Sequence, residues 1–164
     1  HYLRQADNGR LVDLIAPRIE ALLGAAPTAA QCELLLRSMD ELKPRAKNLN
    51  DLAQASMFLV RSRPLKIDEA ASKLLDADGL VLLAEARAAL AASPDWARNA
   101  LEAAAKAVAE GRGLGLGKVA GPLRAALTGQ ANAPSVFAVM AALGRAESLG
   151  RIDDALGQGF AGSA

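Results

Sequence analysis

Three short segments carry residue types suited to gripping a nucleic acid. In Lys43-Pro44-Arg45 a proline break throws an arginine out at a helix end, close to Lys43 and Lys47. A guanidinium offers five donors in one plane, which suits base edges and phosphates alike. Pro122-Leu123-Arg124 places a second arginine just after a proline, shortly beyond a glycine-rich run. The third segment, Asn132-Ala133-Pro134-Ser135-Val136, is a turn whose small residues let a base approach the backbone.

Other chemistry finds less support. The run Gly111-Arg112-Gly113-Leu114-Gly115-Leu116-Gly117-Lys118-Val119 invites comparison with phosphate-binding loops. Such a loop needs a first glycine where Arg112 stands, a hydroxyl residue where Val119 stands, and a strand before it. The preceding pattern is helical, so a flexible connector that lets two helices pack closely is the better reading. The pairs Asp40-Glu41, Asp68-Glu69 and Asp153-Asp154 sit at helix ends or on polar faces, where neighbouring residues diverge. No catalytic dyad follows from them, and no catalytic residue is assigned. One histidine (His1) and one cysteine (Cys32) supply neither a metal site nor an internal disulfide. Trp96, Phe58 and Phe137 read as packing residues.

The elements that must position these segments are helices. Of 164 residues, 52% are hydrophobic and only 3% aromatic. Ala and Leu, the commonest types, favour helices, while strand formers are sparse. The expected class is all-α, with no span long and apolar enough for a membrane. The opening His1-Tyr2-Leu3-Arg4-Gln5 has neither an initiator Met nor a signal peptide and reads as a cut from a longer protein. Apolar spacing predicts a helix over 11–23, stopped by Gly24. Thr28 and Gln31 form a capping box for 29–42, with Leu34, Leu35, Met39 and Leu42 inward and Cys32 beside them. Pro44 ends that helix through its effect on the residue before it. Asn48 caps 49–60, and Arg61-Ser62-Arg63-Pro64 reads as a linker. Helices are then expected over 69–75, 79–92, 94–110 (Ser93 as cap, Pro94 first), 118–127, 135–143 and 145–156, with a frayed tail.

The charge is uneven around a net of +1. Residues 37–66 hold seven bases and three acids, a net +4; residues 67–110 hold four and eight, a net −4. Residues 111–152 hold Arg112, Lys118, Arg124, Arg145 and Arg151 against Glu147, again +4. The two basic stretches are expected to meet on one face and hold a polyanion; solvated helix faces are the plainer reading.

The chain resembles the C-terminal anticodon-binding region of bacterial glutamyl-tRNA synthetases. His1-Tyr2-Leu3-Arg4-Gln5 looks like the segment after that family's catalytic and stem-contact domains. Glu41-Leu42-Lys43-Pro44-Arg45 looks like its (K/R)-P-R helix break. Residues 117–129, Gly-Lys-Val-Ala-Gly-Pro-Leu-Arg-Ala-Ala-Leu-Thr-Gly, followed by Pro134 and Leu143-Gly144, match G-x-V-x-x-P-L-R-x-A-L-T-G…P…L-L-G in order and spacing. Gly121 stands where the family commonly has a larger polar residue, and Ala133 where some relatives carry a hydroxyl.

The resemblance implies two consecutive helical subdomains, 1–66 and 67–164, that cradle an anticodon loop. It implies that Arg45 contacts the third anticodon base and Arg124 the first or second. Ala133, Pro134 and Val136 match the turn that packs around the first base. Lys43, Lys47, Lys106 and Lys118 are expected phosphate contacts. The parent would be a cytoplasmic, monomeric glutamate–tRNA ligase using ATP and Mg. The ligase motifs H-x-G-H and K-M-S-K-S are absent from this sequence, so no cofactor or metal is expected in it and it is not expected to be active alone. Glutamate tRNA is the expected partner, with glutamine tRNA the near competitor. The alternative from a different class is an all-helical protein-interaction module with no RNA role.

Overall fold

The computed structural model describes residues 6–163, with the backbone alone for 158–163. His1–Gln5, which hold the single histidine and one of the resembling segments, lie outside the described residues. Among these there are nine α-helices, short 3-10 turns and no strand, as the composition requires. The chain divides into two compact units between Ser62 and Arg63, earlier than the Lys66–Ile67 boundary expected. Arg63 pairs with Asp154 at 3.3 Å. Leu65 is buried, and the Asp68 N–H donates to the Gly129 carbonyl at 2.9 Å. The segment after Ser62 is therefore built into the second unit.

The first unit packs α1 (Asn8–Leu23), α2 (Ala29–Leu42) and α3 (Leu49–Val60) against one another. Each begins with a side-chain cap: Asp7 accepts from Arg10 N–H, Thr28 from Gln31 N–H, and Asn48 from Asp51 N–H. These bonds satisfy donors that a helix start leaves open. The Asp7 cap starts α1 at Asn8, ahead of the Leu11 expected. Leu11, Ile15, Ile19, Leu35, Met39 and Leu52 are fully buried. On α2 the buried set is Leu35, Ser38, Met39 and Leu42, so Ser38 takes the place expected for Leu34, which is half-buried like Cys32.

After Leu42 the chain tightens into a 3-10 turn, Lys43–Arg45. The expected effect of Pro44 on its predecessor does not operate. Lys43 keeps right-handed helical angles (φ −64°, ψ −32°), and the chain turns extended only at Ala46 (φ −105°, ψ 139°). Pro44 sits at the first positions of the 3-10 turn, where its missing N–H costs nothing.

In the second unit α4 (Glu69–Ser72) leads through a 3-10 turn, Lys73–Leu75, into α5 (Ala77–Ala91). Around α5 pack α6 (Arg98–Gly111), α7 (Gly117–Thr128) and α9 (Arg145–Ser163), and α8 (Val136–Leu143) closes on α6, α7 and α9. Leu83, Leu90, Leu101, Val119, Leu123, Leu127, Met140 and Ile152 form its core. Pro122 lies inside α7. The helix expected to fray after Leu156 runs on to Ser163.

Helix α6 begins at Arg98, not Pro94. Ser93 does not cap it: its hydroxyl donates to the Asp95 carbonyl (2.7 Å), and Asp95 Oδ1 accepts from Ala97 N–H (3.0 Å). These local bonds offer the backbone an alternative to helix. Trp96 Nε1 donates to the Met140 carbonyl (2.9 Å), and the Arg145 guanidinium lies 4.7 Å over its ring. Tertiary bonds thus outweigh the start signal. The glycine loop after α6 also differs from expectation. A Cβ at Gly111, Gly113, Gly115 or Gly117 would meet nothing within 4 Å, so close helix packing does not explain them. Only Gly113 has a positive φ (69°).

Candidate nucleic-acid interface

In the first unit the Lys43–Arg45 turn is anchored from both sides, by buried Leu42 before it and buried Ala46 after it. Between these anchors Pro44 and Arg45 are exposed. The Arg45 guanidinium has no partner among the described residues and is open to a ligand. Lys47 is also exposed; its backbone N–H donates to Asp51 Oδ2 (3.3 Å). Lys43 differs. Its side chain is 14% exposed, and Nζ reaches Asn8 Oδ1 (2.7 Å), the Ala6 carbonyl (3.4 Å) and Asp40 (3.7 Å). Asp40 also accepts from Asn8 Nδ2 (3.0 Å). Lys43 thus ties the turn to the start of α1, a structural use of the charge that the sequence offered as a phosphate contact.

In the second unit Arg124 is half-buried on α7. Its carbonyl accepts from Thr128 Oγ1 (2.8 Å). Gly129 caps the end of α7 with a φ of 74°, which suits glycine, and a Cβ there would clash with the Lys66 carbonyl. Beyond it Ala133, Pro134 and Val136 are all buried. Their side chains hold the turn to the core, which leaves its backbone groups as the part that can meet a ligand. Lys106 and Lys118 are exposed.

The charge count overstated the cations available. Of the five bases in 111–152, Arg112 pairs with Glu85. Arg145 donates to the carbonyls of Ala91 (3.1 Å) and Ser93 (2.7 Å). Arg151 is 2% exposed; burial pushes its pKa down, against the hydrogen bond and charge of Glu147. Several acids are engaged as well. Asp68 and Asp76 cap helices. Asp153 takes two bonds from Arg87 (2.9 and 3.2 Å), which raise the pKa of that arginine, and Asp154 pairs with Arg63. One signal for Arg145 was present: it is the first residue of α9, where a cation opposes the helix dipole and needs another partner.

A groove of about 960 Å³ opens beside α7, lined by Lys73, Lys118 and Arg112 together with Asp76, Asp78 and Pro122. Lys73 was not singled out in the sequence, because only the fold brings its 3-10 turn beside α7. The glycine loop on the same groove joins two helices, and Val119 is fully buried. That arrangement does not fit a nucleotide phosphate loop. Among the described residues, no His, Cys, Asp and Glu cluster suits a metal ion and no helix is long and apolar enough to cross a membrane.

The chain is 57% identical over 157 residues to glutamate–tRNA ligase 2 of Rhizorhabdus wittichii, which covers 96% of this chain and 33% of that protein. It is 50% identical over 156 residues to glutamate–tRNA ligase 2 of Zymomonas mobilis, covering 95% of this chain and 32% of that one. A crystal structure of a glutamate tRNA ligase from Elizabethkingia meningosepticum superimposes with a TM-score of 0.77 at 27% identity, over 95% of this chain and 30% of that chain. The chain thus spans about a third of the length of these relatives. The model of the anticodon binding domain matches residues 10–156. The chain belongs to the anticodon binding domain family.

Proposed function

We propose that this chain is the tRNA anticodon-binding region of a glutamate–tRNA ligase. It selects tRNA while a catalytic domain elsewhere in the parent attaches glutamate, using ATP and Mg. Glutamate tRNA is its preferred partner, and the parent works as a monomer in the cytoplasm. The observation that carries the reading is the treatment of Arg45. Lys43, Arg145 and Arg151 are all turned to internal bonds, whereas the arginine of the K-P-R motif is held out on an anchored turn. Single-stranded loops are read by splaying bases out and bonding their pairing edges. With Trp96 and Phe137 engaged in packing, those contacts fall to guanidinium planes and to the backbone of the 129–135 turn. Lys47, Lys106 and Lys118 supply phosphate contacts that set register without reading sequence.

A salt titration tests this. Binding of glutamate tRNA is expected to weaken linearly on a log–log plot as salt rises, by about 0.7–0.9 per phosphate neutralised. Loss of binding on changing Lys47, Lys106 and Lys118 together, with a shallower slope, would support the phosphate assignments. Failure to bind tRNA at low salt would sink the proposal. The protein-interaction alternative predicts a salt-insensitive protein complex, and the family match gives it no support.

A further inference from the structure

Helix α7 ends at Thr128, and the last carbonyls of a helix find no partner within it. Here the carbonyl of Leu127 accepts from Arg151 Nη1 at 2.8 Å, while Arg151 Nε donates to Glu147 Oε2 at 2.8 Å. The guanidinium sits in the second unit's interior, 2% exposed. Burying such a charge is costly, and an apolar side chain of similar volume commonly serves stability as well or better. The retained arginine therefore calls for a geometric reason. What it holds is the backbone between two motif features, Arg124 one turn earlier and the Ala133–Pro134 turn just beyond. The same stretch is braced elsewhere. Thr128 Oγ1 donates to the Arg124 carbonyl (2.8 Å) and accepts from Gln130 N–H (3.1 Å). The Gly129 carbonyl is held by Asp68 N–H (2.9 Å).

We propose that Arg151 is a positioning residue for base recognition: its grip on the Leu127 carbonyl fixes the exit of α7, and with it the placement of Arg124 and of the 129–135 turn against the anticodon loop. Arg151 touches no RNA itself. The inference rests on the tRNA-binding reading above.

The experiment compares the 164-residue chain with its Arg151→Met and Arg151→Lys variants. Each is titrated with glutamate tRNA and with the same tRNA carrying an exchanged first anticodon base. Met keeps an unbranched stem without donors; Lys restores one donor. The preference for the unaltered tRNA is expected to fall about 5- to 10-fold in Arg151→Met and less in Arg151→Lys. The salt slope stays as in the wild type, since no phosphate contact is removed. A preference unchanged in Arg151→Met, or equal loss of affinity for both tRNAs, overturns the inference. Should Arg151→Met fail to fold, Arg151→Lys decides, and an unchanged preference there overturns it too. A wild-type chain that binds both tRNAs equally defeats the inference together with its expected first-base contact. One that binds neither instead defeats the tRNA-binding reading.

Discussion

The first unit and the later helices of the second fix their boundaries by different means. In the first, α1, α2 and α3 each start on a capping side chain within a few residues, and α2 carries the full reciprocal box between Thr28 and Gln31. In the second, Asp68 and Asp76 cap α4 and α5 in the same way, but α6, α7 and α8 have no side-chain cap. Carbonyls at helix ends in this unit are held from afar: Met140 of α8 by Trp96 and Ser148, Ala91 of α5 and Ser93 just after it by Arg145, and Leu127 of α7 by Arg151. The first unit's helix starts are written locally, whereas those of α6, α7 and α8 in the second unit depend on the assembled core. The same difference governs the two arginines of the motifs. Arg45 stands on a turn fixed by its own flanks, whereas Arg124 stands on a helix whose exit is fixed from α9.

The sharpest way to break that contrast is Arg145→Met. It removes two charged bonds to carbonyls and the stacking over Trp96, partly offset by an apolar stem and by solvent reaching the site. A loss of about 2 kcal/mol is expected. Trp96 is the only tryptophan, so its emission reports the second unit alone and should shift to the red in the folded variant. Unchanged emission and stability would mean that local sequence, not Arg145, holds the 91–97 corner.

Thr28→Ala makes the matching cut in the first unit. Only a capping hydroxyl is lost, from an exposed position, and about 1 kcal/mol is expected. Hydrogen exchange should speed up in the first turn of α2 and leave the second unit's amides alone. The contrast also explains what was legible. The starts of α2 and α3 follow from Thr28-Gln31 and Asn48, and the end of α3 from the turn at Arg61, as expected. The start of α6 was misplaced because Ser93-Pro94 is a strong local signal that Asp95, Trp96 and Arg145 together override. The candidate site divides the same way. The motif positions were visible in sequence, but a count of charges treats Lys43, Arg145 and Arg151 like Lys118. Only the fold shows that the first three are bonded inward while Lys118 is exposed.

The smallest effect on stability, and the most specific on function, belongs to Arg45→Gln. Arg45 is exposed and has no partner among the described residues, so its replacement should change stability by no more than about 0.5 kcal/mol. Its proposed role predicts a larger change elsewhere. Glutamate and glutamine tRNAs differ at the third anticodon base, C in the first and G in the second. Cytosine presents O2 and N3 acceptors on its pairing edge, which a guanidinium can satisfy. Guanine turns N1–H and N2–H donors to much of that edge, so arginine donors would face donors. An unpaired donor shielded from water costs about 1–3 kcal/mol, or about 5- to 150-fold in discrimination. Glutamine carries both a donor and an acceptor and can bond either base. Arg45→Gln in the full-length ligase should therefore narrow the gap between the two tRNAs in charging assays, while the melting curve stays in place. Equal charging of both tRNAs by the unmodified enzyme would remove Arg45 from specificity. A gap that survives the substitution would move the selection to the second unit, where the buried brace at Leu127 holds the other arginine.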